Sequence, residues 1–214
     1  MNAEPLRYVA LGDSYTIGTS VPERERWPNQ LVERLRTMRP ERNRLELVAN
    51  LAVNGYTARD VIERELPAFG TARADFASLL VGVNDVIQGV SLDTYRARIE
   101  AILTALVGTV GTHRVLAVTT PDYTVTSAGA DYGKPATVSA QIRRFNDAFT
   151  AAARAHEVAV VDVYDLSRRA ADDRILVARD GLHPSGPQYA LWVERIVPVV
   201  FDLLRVPASG VPAD

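Results

Sequence analysis

Hydrophobic and polar positions along the chain fall into two alternating patterns. Short apolar stretches recur at Leu6 to Leu11, Leu45 to Leu51, Asp75 to Val81, Arg114 to Thr119 and Val158 to Val163, and are predicted as strands. The stretch from Asp75 to Val81 is apolar almost throughout, as a strand buried on both faces of a parallel sheet requires. Between the strands, apolar residues return at helical spacing. Trp27-Pro28 opens a helix to about Arg39, with Leu31, Leu35 and Met38 on one stripe. Thr57-Ala58-Arg59-Asp60 resembles a helix start, continued by Val61, Ile62, Glu65 and Leu66 until Pro67. Further helices are predicted over Leu92 to Val107, Val138 to His156, Tyr164 to Ala171, and from Ser185 to about Leu204. In the last of these, Ser185-Gly186-Pro187-Gln188 carries a capping-box pattern and Pro198 predicts a kink.

Strands alternating with helices imply one doubly wound, mostly parallel sheet with helices on both faces. No internal repeat and no interdomain linker interrupts the pattern, so a single domain is expected over residues 1–205, with 206–214 a frayed Pro/Gly/Ala tail. Ile17 to Arg26 reads as a loop. Thr120 to Pro135 is longer and irregular; a segment of that kind is either a pocket wall or lid, or a plain surface loop.

Composition narrows the chemistry. The 214 residues carry a formal net charge of −2, so no basic field exists to attract nucleic acid or an anionic membrane surface. Of the 24 basic residues only Lys134 is a lysine, which reads as composition bias. There is no cysteine, which excludes disulfides, thiolate metal sites and a cysteine nucleophile. No apolar run is long enough to span a bilayer, and no signal-peptide pattern precedes the first strand, so a cytoplasmic protein is expected. No metal, cofactor, nucleic-acid partner or integral membrane association is expected.

Three predicted strands end in small polar turns: Gly12-Asp13-Ser14-Tyr15, Asn54-Gly55 and Gly82-Val83-Asn84-Asp85. In a parallel sheet all three ends share one rim, where ligands bind. Ser14 on such a turn is a candidate nucleophile, although Asp13 and Ser14 equally suit a helix cap. The histidines are His113, His156 and His183. His113 begins a strand and His156 ends a helix, and both read as surface residues. His183 lies in a turn before a capped helix with Asp180 three residues earlier, so one loop can carry a base and the carboxylate that fixes its tautomer. A pair of unrelated loop residues is the alternative. The Ser14 and Gly55 N–H groups and the Asn84 amide are candidate oxyanion donors, Gly55 because it lets backbone approach closely; turn formation accounts for Gly55 and Asn84 equally well.

Taken together, Gly12-Asp13-Ser14-Tyr15, Asn50 to Gly55, Gly82-Val83-Asn84-Asp85 and Asp180-Gly181-Leu182-His183 resemble, in order and spacing, the motifs of the SGNH hydrolases, also called the GDSL-like lipase/acylhydrolase superfamily. Tyr15 stands where the family name has leucine. The resemblance implies a three-layer α/β/α sandwich, flavodoxin-like, with about five parallel strands. It also implies Ser14 as nucleophile, His183 as base, Asp180 as its orienting group, and Ser14, Gly55 and Asn84 as the oxyanion hole.

The activity so implied is a metal-independent serine esterase that passes through an acyl-enzyme and acts on a small-molecule ester, with a small or short acyl group expected. Thioesterase, lysophospholipase and sugar O-deacetylase variants share this chemistry. A non-catalytic ligand-binding module on the same fold is the reading from another class. A nucleotide-binding protein is disfavoured by the lack of G-x-G-x-x-G and of a P-loop. Asp13, Tyr15, Trp27, Tyr123 and Tyr132 are candidate pocket residues, the aromatics equally suiting core or surface.

Overall fold

A computed structural model describes residues 4–38 and 45–205. Five strands, β1 (Leu6–Gly12), β2 (Leu45–Asn50), β3 (Phe76–Leu80), β4 (Val115–Val118) and β5 (Ala159–Val161), form one sheet in the order β2-β1-β3-β4-β5. Every pairing is parallel. Each strand lies within a few residues of its apolar run, and β1, β3 and β4 are almost wholly buried, because covering both faces of a parallel sheet excludes polar positions.

Helices cover both sides of the sheet. On one side α2 (Trp27–Met38) packs against α9 (Gly186–Arg205), which also meets the short α8 (Tyr164–Arg168); on the other α6 (Leu92–Val110) packs against α7 (Pro135–Ala155). The core is filled by large side chains such as Trp27, Trp192, Tyr8, Tyr95, Tyr189 and Phe149, all of them inaccessible or nearly so. The expected α/β/α sandwich is what the chain adopts. The predicted tail at 206–214 lies outside the described residues.

Several local features differ from the expectation. Ser14 is not on an open turn: it begins a single helical turn, α1 (Ser14–Ile17), which Asp13 caps by accepting the Tyr15 N–H at 3.0 Å. The helix starting at Thr57 does not stop at Pro67. It runs from α3 (Ala58–Asp60) through a π-turn (Val61–Glu65) into α4 (Leu66–Thr71), with Pro67 in the first turn of α4. The wide turn gives the pyrrolidine ring room that a regular helix would deny it. The Asp60 carboxylate accepts both the Thr57 N–H, at 3.0 Å, and its hydroxyl, at 2.7 Å, which fixes the start of α3.

The capping box expected at Ser185 is half made. The Ser185 hydroxyl accepts the Gln188 N–H at a long 3.4 Å, but itself donates to the Ile175 carbonyl at 2.6 Å. The Gln188 amide does not reach back; it donates to the Ser167 carbonyl at 3.2 Å. Within the predicted 120–135 loop, Tyr123–Val125 and Gly129–Tyr132 form 3₁₀ turns, and α7 already begins at Pro135. Pro198 lies inside α9, which continues past it.

Candidate active site

Strand order fixes where the chemistry can sit. β1 has β2 on one side and β3 on the other, so the connections leaving β1 and β3 diverge to opposite faces of the sheet. The crevice that opens at their carboxyl ends is the usual ligand site of such sheets. Ser14 follows β1 directly. Asn84 follows β3, in the short helix α5 (Val83–Ile87).

At this end β1 leaves no room for a side chain at its last residue. Gly12 pairs with Leu80, and a side chain on Gly12 would place its Cβ 2.1 Å from the Leu80 carbonyl oxygen. The Gly12 φ of +146° is also one that side-chain-bearing residues avoid. Its N–H donates to Glu65 Oε2 at 2.8 Å. Glycine is therefore dictated just before the serine by conformation and by crowding at once.

Gly55 is different. Its φ is +87°, but nothing lies within 4 Å of where its Cβ would be, and the residue is exposed. Backbone conformation requires glycine here, and the space beside it is open. The loop is held from the side by Asn84, whose Nδ2 donates to the Tyr56 carbonyl at 2.8 Å. Asp85, inaccessible to solvent, accepts the Ala58 N–H at 2.8 Å and pairs with Arg98 at 3.3 Å. The Asn84–Asp85 pair thus fastens the loop after β3 to the loop after β2.

His183 and Asp180 come from the loop before α9. His183 Nδ1 and Asp180 Oδ2 are 2.7 Å apart, while Asp180 Oδ1 accepts the N–H groups of Leu182 and His183 at 2.9 and 3.0 Å. The Ser20 hydroxyl donates to Asp180 Oδ2 at 2.6 Å. Burial pushes the Asp180 carboxyl up, but the Ser20 hydroxyl, the two backbone donors and His183 outweigh it and hold the group down at about 2. The carboxylate is therefore ionised at neutral pH, and its acceptor oxygen orients the imidazole. The His183 ring packs against Tyr15, with centroids 5.4 Å apart, which brings it beside the Ser14-Tyr15 segment. The other two histidines lie elsewhere: His113 is exposed, and His156 is paired with Glu100 at 2.7 Å.

The candidate pocket residues separate into two groups. Asp13 and Trp27 have no exposed surface, so neither lines a pocket: Trp27 belongs to the core and Asp13 lies beneath the serine turn. Burial pushes the Asp13 carboxyl up to about 8. Tyr15 and Tyr123 are almost completely buried, and Tyr132 is 44% exposed with its ring edge-on to Tyr123 at 5.8 Å. The loop carrying Tyr123 and Tyr132 is pinned by the buried Asp122, whose carboxylate accepts from Thr124, Ser139 and Arg168. It also docks on the histidine loop, with the Ala128 N–H donating to the Gly181 carbonyl at 3.0 Å. A groove of about 490 Å³ behind it, lined by Thr124, Val125, Ser139, Arg143 and Arg168 among others, contains none of the candidate catalytic residues.

Three residues of this neighbourhood escape sequence reasoning: Ser20, Glu65 and Asp85. Glu65 left a trace as a carboxylate on the otherwise apolar stripe of its helix, and Asp85 as the last residue of the Gly82-Val83-Asn84-Asp85 turn, whereas Ser20 left none.

Against known proteins, the sequence pattern of the GDSL-like lipase/acylhydrolase family matches residues 10–191. The chain belongs to this family. It is accordingly a serine ester hydrolase, an SGNH hydrolase. Among solved structures, this SGNH hydrolase is similar to TesA (TM-score 0.69, 18% identity, covering 92% of this chain and 99% of that one). It is also similar to the acetylxylan esterase Axe2 from Geobacillus stearothermophilus (TM-score 0.72, 18% identity, 94% and 96% covered). A third is the psychrotrophic esterase EstA from Pseudoalteromonas sp., solved inhibited by monoethylphosphonate (TM-score 0.69, 15% identity, 94% and 99% covered). At these identities the likeness concerns the fold. A search of curated protein sequences returns no match. Among the described residues, no helix of the hydrolase is long and apolar enough to cross a membrane.

Proposed function

We propose that this hydrolase cleaves a small or short-acyl carboxylic ester through Ser14, His183 and Asp180. Ser14 Oγ attacks the ester carbonyl and His183 Nε2 takes its proton. The alcohol leaves carrying that proton, and the acyl group stays on Ser14 as an ester. Water then attacks the acyl-enzyme with His183 again as base; the acid is released and the proton returns to Ser14. The Ser14 and Gly55 N–H groups and the Asn84 amide stabilise the negative oxygen of each tetrahedral intermediate.

The observation that carries this reading is the Asp180–His183 pair, 2.7 Å apart, held against Tyr15, the residue next to Ser14. The pair commits Nδ1 of the imidazole, which leaves Nε2 for the proton. The exposed apolar residues Val53, Ile87 and Tyr132 stand on the segments that follow β2, β3 and β4, where an acyl or aryl group would meet them.

The test is Ser14→Ala, assayed on p-nitrophenyl esters of graded chain length, acetylated sugars, lysophospholipids and acyl thioesters. The variant should remain folded, lose turnover by something like 10⁶ and fail to label with a fluorophosphonate. Substantial hydrolysis by a pure, folded variant would assign the chemistry to another residue. Preference for long-chain lysophospholipids or thioesters would overturn the short-acyl assignment while leaving the nucleophile in place.

A further inference from the structure

We infer that Ser20 is a positioning residue of this site: its hydroxyl holds the Asp180 carboxylate in the orientation that aligns His183. The inference rests on the catalytic reading above and adds a member that no motif contains.

Three observations carry it. The Ser20 hydroxyl donates to Asp180 Oδ2 at 2.6 Å, the same oxygen that meets His183 Nδ1 at 2.7 Å. With two donors on that one oxygen, and with Oδ1 held by two backbone N–H groups, the carboxylate plane cannot rotate. Ser20 also adopts a φ of 69°, left-handed backbone that a residue with a Cβ rarely takes. A glycine would occupy it without cost, so a serine there, bonded through its side chain, marks strain retained for what the hydroxyl does. Finally, Ser20 lies at the end of the segment that begins with Ser14. The Ser14 carbonyl accepts the N–H groups of Gly18 and Thr19, both at 3.0 Å, so hydrogen bonds tie the nucleophile's turn to the residue that precedes Ser20. The Ser20–Asp180 bond ties that segment to the histidine loop 160 residues away in sequence.

The electrostatic consequence has a definite sign. The hydroxyl shares the negative charge of Oδ2, and without it that charge falls on the imidazole alone. The charged form of His183 is then favoured, and the acid limb of activity moves to higher pH. Titratable groups about the pair include Tyr15, packed on the His183 ring, and Tyr189, buried within reach of the Asp180 charge, whose phenols burial pushes up, and Asp13, which acts on both tyrosines and whose carboxyl burial pushes up to about 8; all three stay neutral across the acid limb.

Two variants separate positioning from mere structural support. Ser20→Gly relaxes the backbone but removes the donor: Tm should stay within about 2 °C of the parent. Its kcat should fall about tenfold with KM little changed, and the acid limb of kcat/KM should rise by roughly half a pH unit. Ser20→Thr keeps the hydroxyl on a strained, β-branched residue: Tm should fall while kcat and the limb stay near the parent's. In an Asp180→Asn background, Ser20→Gly should leave the pH profile unmoved. If activity follows Tm across the two variants, or if Ser20→Gly keeps both kcat and the acid limb, the positioning role is wrong. Asp180→Asn measured alongside distinguishes the two failures, because an unaffected Asp180→Asn would instead refute the catalytic reading on which this one stands.

Discussion

Asn84 holds Tyr56: the side-chain amide of the first residue donates to the carbonyl of the second at 2.8 Å, across 28 residues of sequence. The bond spends one N–H of Asn84 on the loop that carries Gly55. The second N–H is the one proposed to meet the oxyanion. Two of the proposed oxyanion donors therefore form one unit, preorganised by a bond that exists before substrate arrives.

Replacing Asn84 should act on the transition state. In Asn84→Ala kcat is expected to fall by about 10²–10³ with KM changed much less, since the donor matters most when the carbonyl oxygen becomes an anion. Asn84→Asp should be worse, because it sets an acceptor against both the Tyr56 carbonyl and the oxyanion. Ser14 should still label with a fluorophosphonate in both, only more slowly. Steady-state kinetics and labelling on the same samples decide the matter, and a raised KM at unchanged kcat would remove Asn84 from the oxyanion hole.

Below the serine turn, Glu65 makes stability depend on pH. It is 2% exposed, and burial pushes its carboxyl up to about 9, against the pull of the Gly12 N–H. An unfolded chain ionises the same group near 4.3. The folded form thus holds a proton that the unfolded form releases. The contribution is complete below about pH 4 and is lost progressively as pH rises toward 9. Glu65→Gln keeps an acceptor oxygen for the Gly12 N–H and abolishes this titration. Its Tm should therefore gain on the parent's steadily from pH 5 to 9. Asp13, pushed up to about 8, leaves the variant some pH dependence of its own. Parallel Tm curves for the two proteins would show that Glu65 enters the fold ionised.

What could be read from the sequence follows from how locally each feature is encoded. The strands are legible because a strand buried on both faces is written as an uninterrupted apolar run, and Phe76–Leu80 is the clearest case. The Asp180–His183 pair is legible because three residues of one loop carry it. Ser20, by contrast, meets Asp180 only through the tertiary fold, and nothing near Gly18 announces it. Trp27 misled as a pocket residue because an aromatic at the start of an amphipathic helix reads alike whether it faces a cleft or the core; here it is entirely core. Glycines are similarly ambiguous. Gly12 and Gly55 look alike in sequence, each just past an apolar run, yet only one is crowded.

That contrast yields a graded prediction. An alanine at Gly12 meets two penalties: a backbone conformation hostile to Cβ and a carbonyl oxygen 2.1 Å from the new atom. The oxygen belongs to Leu80 in the neighbouring strand, so relief requires β1 and β3 to part where Ser14 and Asn84 must converge. Gly12→Ala should cost more than about 4 kcal/mol, enough to deplete soluble protein, with esterase activity lost in whatever folds. An alanine at Gly55 meets only the first penalty, at φ +87° with open space beyond. It should cost about 1–2 kcal/mol, and because its N–H is retained, kcat should fall far less than in Asn84→Ala. Urea unfolding of both variants, with kcat on the folded fractions, tests the ordering. Equal destabilisation at the two sites would mean that conformation alone, and not crowding by the Leu80 carbonyl, selects glycine before the serine.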